Sequence, residues 1–379
     1  MTDVPSAWQP HYQITARIAQ WLMEIESARA AVEHTPLAPA LEAELRERIR
    51  IRATHYSTRI EGNRLTLEEA EQVIQREEAV IQGRERDVRE VRNYWNALLR
   101  VEDWASQGKP FTEDLIRRLH ALVEHGQRSA PTPYRDGQNV IRDSASGSIV
   151  YMPPEAKDVP ALMSALVSWV NKAERENIPV PIIAGLVHYQ FVTIHPYYDG
   201  NGRSARLLAT FLLHRGGYGL HGFFSLEEYH ARNLDGYYQA LAVNPHHNYY
   251  EGRPEADLTS WLYYFIGLLA DVFSAARQEA LQLAESPRID EPEHLRRLDH
   301  RARIVLGLFA KHEQVTAAQV AEALGLSDRM ARNLLQEWVQ DGWIITLDSS
   351  RRKRAYGLSE IYRQYVGSLS AIISNKRKS

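Results

Sequence analysis

Apolar residues recur at helical spacing through most of the chain. Between Arg86 and Trp104, the positions Val88, Val91, Trp95, Leu98 and Leu99 fall near a 3.6-residue period, which predicts a helix with one buried face. Residues 41–62 are rich in strong helix formers and run into Gly62-Asn63, a helix stop. Thr66-Leu67-Glu68-Glu69 reads as a capping box opening a helix to about Ile81. Thr112, followed by Glu113 and Asp114, reads as the N-cap of another. Further helices are expected over 157–171, 181–194, 203–216, 226–243 and 257–280. The most apolar stretch, 261–273, is too short to span a bilayer and reads as a buried helix.

The pattern breaks in three places. Residues 129–154 are full of Gly, Pro, Ser and Asp and hold two short β-prone runs, QNVI and SIVYM, so a β-hairpin with an irregular tip is expected there. Residues 285–294 carry prolines and charges and read as a linker. Beyond it, RARIVLGLFAKH, then a helix, a Gly-containing turn and a helix over 317–340, then strand, basic tip Arg351–Arg354 and strand, predict a winged helix-turn-helix. A chain of 379 residues exceeds one average core. The division expected is a helical region over 1–110, a core over 111–284, a linker over 285–295 and a terminal module over 296–379.

Charge follows the same division. The net charge is −3, but 296–379 holds 15 Lys/Arg against 8 Asp/Glu, a net of +7, which leaves −10 for the rest. Nucleic acid is therefore a candidate partner of the C-terminal part alone. There is no cysteine, which excludes disulfides and thiolate metal sites. The first residues show no secretory pattern, and a cytoplasmic protein without membrane partners is expected.

The densest chemistry lies in 195–206, HPYYDGNGRSAR. Gly200-Asn201-Gly202 directly before a helix suits a phosphate nest, because unpaired amides and the positive end of the dipole meet a backbone that can approach closely. A plain turn between helices also favours these residues. Arg203 and Arg206 share one face of that helix's first turns, where two cations oppose the dipole and each other unless an anion joins them. Asp199 is placed to hold Mg²⁺ beside bound phosphates. His195 suits a general base for a hydroxyl; the alternatives are a structural histidine or a His-Asp metal pair.

HPYYDGNGRSAR resembles the signature of the Fic family: His-Pro-Phe, any residue, Asp or Glu, Gly-Asn-Gly-Arg, two residues, Arg. Tyr197 stands where the family usually has Phe. The hairpin region resembles the family's flap, with Gln138, Asn139, Val140 and Ile141 in it, and NLDGYYQAL (233–241) resembles its adenosine-side segment, with Leu234 replacing the usual Arg. The resemblance covers roughly 50–275. It implies a mainly α fold, a Fic-type helical bundle with a small flap, and a C-terminal winged helix as a common companion. It implies transfer of AMP from ATP to a Ser, Thr or Tyr hydroxyl of a target protein or of the chain itself. His195 would be the base and Asp199 the Mg²⁺ ligand. Gly200, Asn201 and Gly202 would hold the α-phosphate, and Arg203 and Arg206 the polyphosphate end. Asn233, Tyr237 and Tyr238 are candidates for adenosine contact; the two tyrosines suit core packing equally.

STRIEG (57–62) resembles the family's inhibitory motif, in which Glu61, with Ser57 one turn earlier, would pair with Arg206 and deny the γ-phosphate its ligand. Alone, Glu61 reads as a surface acid before a C-cap glycine. Two other functions stay open at this level. One is AMP removal, or transfer of another phosphate-containing group, by the same site. The other is a DNA-binding regulator acting through the helix near Ser327–Gln340, with Arg329 and Arg332 exposed to phosphates or bases and Asp328 and Glu337 opposing them. A protein-contact module is the alternative for the winged helix. The family often forms dimers.

Overall fold

The computed structural model describes residues 8–37, 39–76, 81–126, 130–142, 147–285, 298, 300–309, 312–324, 326–348 and 354–363. The chain divides into two compact units, one of 1–35 and 45–283 and one of 36–44 and 284–379. Most of the region expected to stand apart before residue 110 clusters with the core that follows it, while 36–44 cluster with the C-terminal residues. The linker expected at 285–295 lies outside the described residues, apart from the helical Glu285.

The first unit is helical apart from one small hairpin. Its helices are α1 (Ala16–His34), α2 (Pro39–Ile60), α3 (Leu67–Gln75), α4 (Glu85–Ser106) and α5 (Glu113–His125), then α6 (Val159–Arg175), α7 (Val180–Ile194), α8 (Asn201–Arg215), α9 (Leu226–Arg232), α10 (Leu234–Leu241) and α11 (Thr259–Glu285). Helix starts follow local chemistry. The Thr66 hydroxyl accepts from Glu69 N while the Glu69 carboxylate accepts from Thr66 N, a reciprocal capping box, and Thr112 Oγ1 accepts from Leu115 N. α3 stops at Gln75, short of the expected Ile81. The helix expected over 226–243 is two helices, because Asn233 departs from helical geometry (φ −136°, ψ 66°) and caps the second with its own side chain.

α7 is apolar on every side and buried along nearly its whole length, as a central helix must be. It packs against α6 and α8, and α8 also meets α4 and α5. α11 closes on α7 at Gly185, whose carbonyl accepts from Trp261 Nε1 at 2.7 Å. A Cβ at Gly185 would stand 2.8 Å from the Phe265 ring, so this approach requires glycine. The hairpin is shorter than expected: β1 is Ile141–Arg142 and β2 is Ile149–Tyr151, antiparallel with an irregular register. Gln138, Asn139 and Val140 precede the strand, and the side chains of the first two bond elsewhere, as given below. Residues 143–146 of the expected tip lie outside the described residues.

In the second unit, α12 (His300–Leu308) is followed by β3 (Val315–Thr316), α13 (Ala317–Leu324), α14 (Asp328–Gln340), β4 (Ile344–Asp348) and β5 (Ala355–Leu358). The strands form an antiparallel sheet in the order β3-β5-β4. Val305, Val320, Leu335, Trp338, Trp343, Ile344 and Tyr356 form the unit's own core. Ser327 caps α14 by accepting from Met330 N. Arg351, Arg352 and Lys353 of the basic tip lie outside the described residues. Among the described residues no helix is long and apolar enough to cross a membrane.

Candidate active site

The site grows from the junction of α7 and α8. α7 ends at His195 in the left-handed region (φ 51°, ψ 60°), a conformation that side chains other than glycine rarely hold. Two bonds fix it: His195 N donates to Phe191 O at 3.0 Å, and Arg135 Nε donates to His195 O at 3.0 Å. The imidazole is half-buried, and its Nδ1 donates to Val192 O at 3.3 Å, which leaves the lone pair on Nε2. Burial lowers its pKa to about 4, so the ring is neutral at ordinary pH.

Asn201 closes the loop that follows. Its Nδ2 donates to Tyr197 O at 2.8 Å and its Oδ1 accepts from Tyr197 N at 3.0 Å. Both polar ends of the side chain are therefore engaged within the loop, and one Nδ2 hydrogen and the main chain remain for the phosphate role expected of it. The Tyr197 ring is buried and stacked on His120 at 3.6 Å between centroids, and its hydroxyl has no hydrogen-bond partner among the described residues. His120 Nε2 donates to Asp199 O at 2.8 Å. Gly200 (φ 74°) turns the chain into α8, and Gly202 lies in its first turn, where backbone amides have no intrahelical acceptor.

Arg203 and Arg206 are 3% and 1% exposed. Arg206 is held from α2: its Nε donates to Ser57 Oγ and its NH2 to Ser57 O and Glu61 Oε1, each at 2.9 Å. Glu61 sits in the turn that ends α2, immediately before Gly62 at φ 91°. Burial opposes the Arg206 charge, but Glu61, Tyr237 and Tyr94 outweigh it and hold the guanidinium protonated. A Cβ at Gly202 would meet Glu61 Oε1 at 2.2 Å, so the carboxylate lies directly on the nest. Arg206 NH1 and Arg203 Nε are buried and without a hydrogen-bond partner among the described residues. Arg203 NH2 lies 2.8 Å from Glu124 Oε1 and 3.3 Å from Asp199 Oδ1.

Asp199 is exposed; its Oδ1 accepts from Gly200 N at 2.7 Å, and its Oδ2 lies 3.7 Å from Arg86 NH2. Among the described residues no group of three acids or histidines could hold a metal ion. A lone accessible carboxylate beside a phosphate nest still fits Mg²⁺, which takes one or two protein oxygens and draws its other ligands from phosphates and water.

The expected adenosine residues separate. Tyr237 is buried with its hydroxyl 2.8 Å from His188 Nε2 and close to Arg206, so it backs the arginine and does not face an open ligand position. Tyr238, one step round α10, is 48% exposed on the side where the charges of Glu61 and Arg206 are felt. Asn233 spends its side-chain oxygen capping Gly236 N. In the flap, Asn139 Nδ2 donates to Tyr197 O at 3.1 Å and Gln138 Nε2 to Pro153 O at 2.9 Å, while Val140 and Ile141 are half-exposed.

Three residues escaped the sequence reading. Arg135 is buried and donates to His195 O, to Gly137 O and to Pro154 O, joining the root of the hairpin to the loop between α7 and α8. Glu124 partners Arg203, and Arg86 faces Asp199. A buried arginine in a Gly/Pro-rich segment resembles a solvated one in sequence. Glu124 lies near the end of α5, where an acid opposes the helix dipole, and that misplacement was its one legible signal.

Residues 110–213 match the model of the Fic/DOC family. A protein adenylyltransferase Fic from Nematostella vectensis is 31% identical over 166 residues, 43% of this chain and 37% of that protein. This chain thus spans well under half the length of that curated relative. The crystal structure of a Fic family protein from Desulfovibrio desulfuricans G20 is similar over 93% of this chain and 99% of that one, with 28% identity and a TM-score of 0.60. A Fic domain-containing signaling protein from Bacteroides thetaiotaomicron VPI-5482 is similar over 73% of this chain and all of that one, with 25% identity and a TM-score of 0.59.

Proposed function

Because this chain carries a Fic domain, we propose that it transfers AMP from ATP to a protein hydroxyl, and that Glu61 restrains the reaction. The observation that carries this reading is the pair of buried arginines at the start of α8, each held by a carboxylate and each with a donor unpaired among the described residues. Buried cations at a helix N-terminus are stable only beside anions, and a polyphosphate supplies them.

The chemistry follows from the positions. The target hydroxyl, led in beside Val140 and Ile141, gives its proton to His195 Nε2 as its oxygen attacks the α-phosphorus. The bond to the β-phosphate bridge breaks and pyrophosphate leaves. Amides at the start of α8 hold the α-phosphate, and Arg203 and Arg206 receive the departing charge. Asp199 would hold Mg²⁺, which supplies further charge neutralisation at the phosphates when bound. Tyr238 is the candidate for contact with the adenosine. While Glu61 holds Arg206, the terminal phosphate lacks its ligand.

ATP labelled at the α-phosphate, with Mg²⁺ and a lysate, tests the reading. Label should enter protein from the α-position and not from the γ-position, most strongly with Glu61→Gly and never with His195→Ala. Absence of α-label in every variant overturns it.

A second reading concerns the C-terminal unit. α14 exposes Arg329, Arg332, Asn333 and Gln336, side chains suited to base edges and phosphates, and the module carries a net of +7. We infer DNA contact through this helix. The measurement is duplex binding that weakens steeply with salt and further on Arg329→Glu; salt-independent or absent binding overturns it.

A further inference from the structure

Glu61 is not the only acid that occupies an arginine of the nest. Glu124, the penultimate residue of α5, places Oε1 2.8 Å from Arg203 NH2. The same oxygen lies 2.5 Å from where a Cβ on Gly200 would stand, as Glu61 Oε1 lies 2.2 Å from one on Gly202. Two carboxylates, one from the turn after α2 and one from α5, therefore cover the two glycines and hold the two arginines.

The contact with Glu124 is short but poorly aligned. Its Oε1 is buried without a hydrogen bond among the described residues, and Arg203 Nε is likewise unpartnered there. Arg203 is thus neutralised without being saturated, and a phosphate oxygen would offer it better geometry. The position is also costly for an acid. It lies at the negative end of α5, and burial raises the carboxyl's pKa, with Asp199 adding to the rise while Arg203 opposes it.

Charge then decides the role. Three carboxylates ring the nest: Glu61, Asp199 and Glu124. Loss of the brake removes the first, and a divalent cation answers the second. Nothing in the reaction answers the third. We propose that Glu124 competes with the nucleotide's polyphosphate end for Arg203 and so sets the affinity of the released site, an inference that rests on the nucleotide reading above. It separates Glu124 from a mere support of Arg203, whose loss would weaken binding.

The test is calorimetric titration of Glu61→Gly and of Glu61→Gly/Glu124→Gln with ATP, ADP and AMP, each with and without Mg²⁺. Removing one charge from the reach of Arg203 should tighten ATP and ADP about tenfold or more, and AMP clearly less, because AMP's single phosphate meets the glycines but does not extend to that arginine. Equal or weaker ATP binding in the double variant overturns the proposal. A similar gain for AMP also overturns it, since that reports a general change in the site. If Glu61→Gly itself binds no ATP, the nucleotide reading falls first and the proposal with it. Glu124→Asp keeps the charge but draws it back by one methylene; it serves if the glutamine variant does not fold, with a smaller gain in the same ATP-over-AMP contrast expected and no gain overturning.

Discussion

Glu61 Oε1 and Arg206 NH2 are 2.9 Å apart, and the carboxylate that makes this pair also fills the face of Gly202. One side chain therefore removes a ligand and blocks a surface together. Glu61→Gly should raise AMP transfer by roughly 5- to 150-fold, the range of a typical coupling free energy between sites. Incorporation of α-labelled ATP measures it, and an unchanged rate would show that the pair does not restrain the enzyme.

Ser57 shares the same guanidinium through both its hydroxyl and its carbonyl. Ser57→Ala removes only the hydroxyl, so its activation should be clearly smaller than that of Glu61→Gly. Equal activation in side-by-side assays would mean that Ser57 Oγ, and not the carboxylate, positions Arg206.

Arg135 satisfies three main-chain carbonyls from within the protein. Arg135→Ala leaves the buried Pro154 carbonyl without this donor, at about 1–3 kcal/mol, and the half-buried His195 and Gly137 carbonyls at less. A fall of several degrees in thermal midpoint is expected by circular dichroism, with loss of activity even in the Glu61→Gly background. A midpoint within a degree of wild type would contradict the clamp.

Burial lowers the pKa of His188 to about 3 and of His120 and His195 to about 4. Their ordinary value is 6.5, so between about 4 and 6.5 the unfolded chain binds more protons than the folded one. Stability is complete above that window and falls as pH drops through it, by up to about 1.4 kcal/mol per pH unit for each histidine. Thermal midpoints measured from pH 7.5 to 4.5 should decline accordingly, and more gently in His188→Gln. An identical slope in that variant would remove His188 from the account.

Gly200 combines φ 74° with Glu124 pressed against its Cα. Gly200→Ala should lose about 1 kcal/mol or more of stability and most ATP affinity. Retained affinity in calorimetry would show that the loop adapts.

Helix positions and caps were largely legible in the sequence, because Thr66, Thr112 and the period of α4 act locally. The contiguous signature was legible for the same reason, since twelve neighbouring residues fold into one junction. Arg135, Glu124 and Arg86 were not. Their roles arise when α4, α5 and the flap root are brought against α7 and α8, and no local pattern distinguishes a charge held at the site from a solvated one. The hairpin was overestimated because the QNVI run holds Asn139, a poor strand former whose side chain bonds the loop between α7 and α8.

Asn201 bonds Tyr197 through both ends of its amide, stapling the Tyr197–Asn201 segment into a small closed ring before any ligand arrives. The conformational entropy of that loop is lost on folding and not on binding. A nest already in shape has little reorganisation left for a regulator to exploit. Control over such a site must then act through charge, which is where this chain has placed its carboxylates.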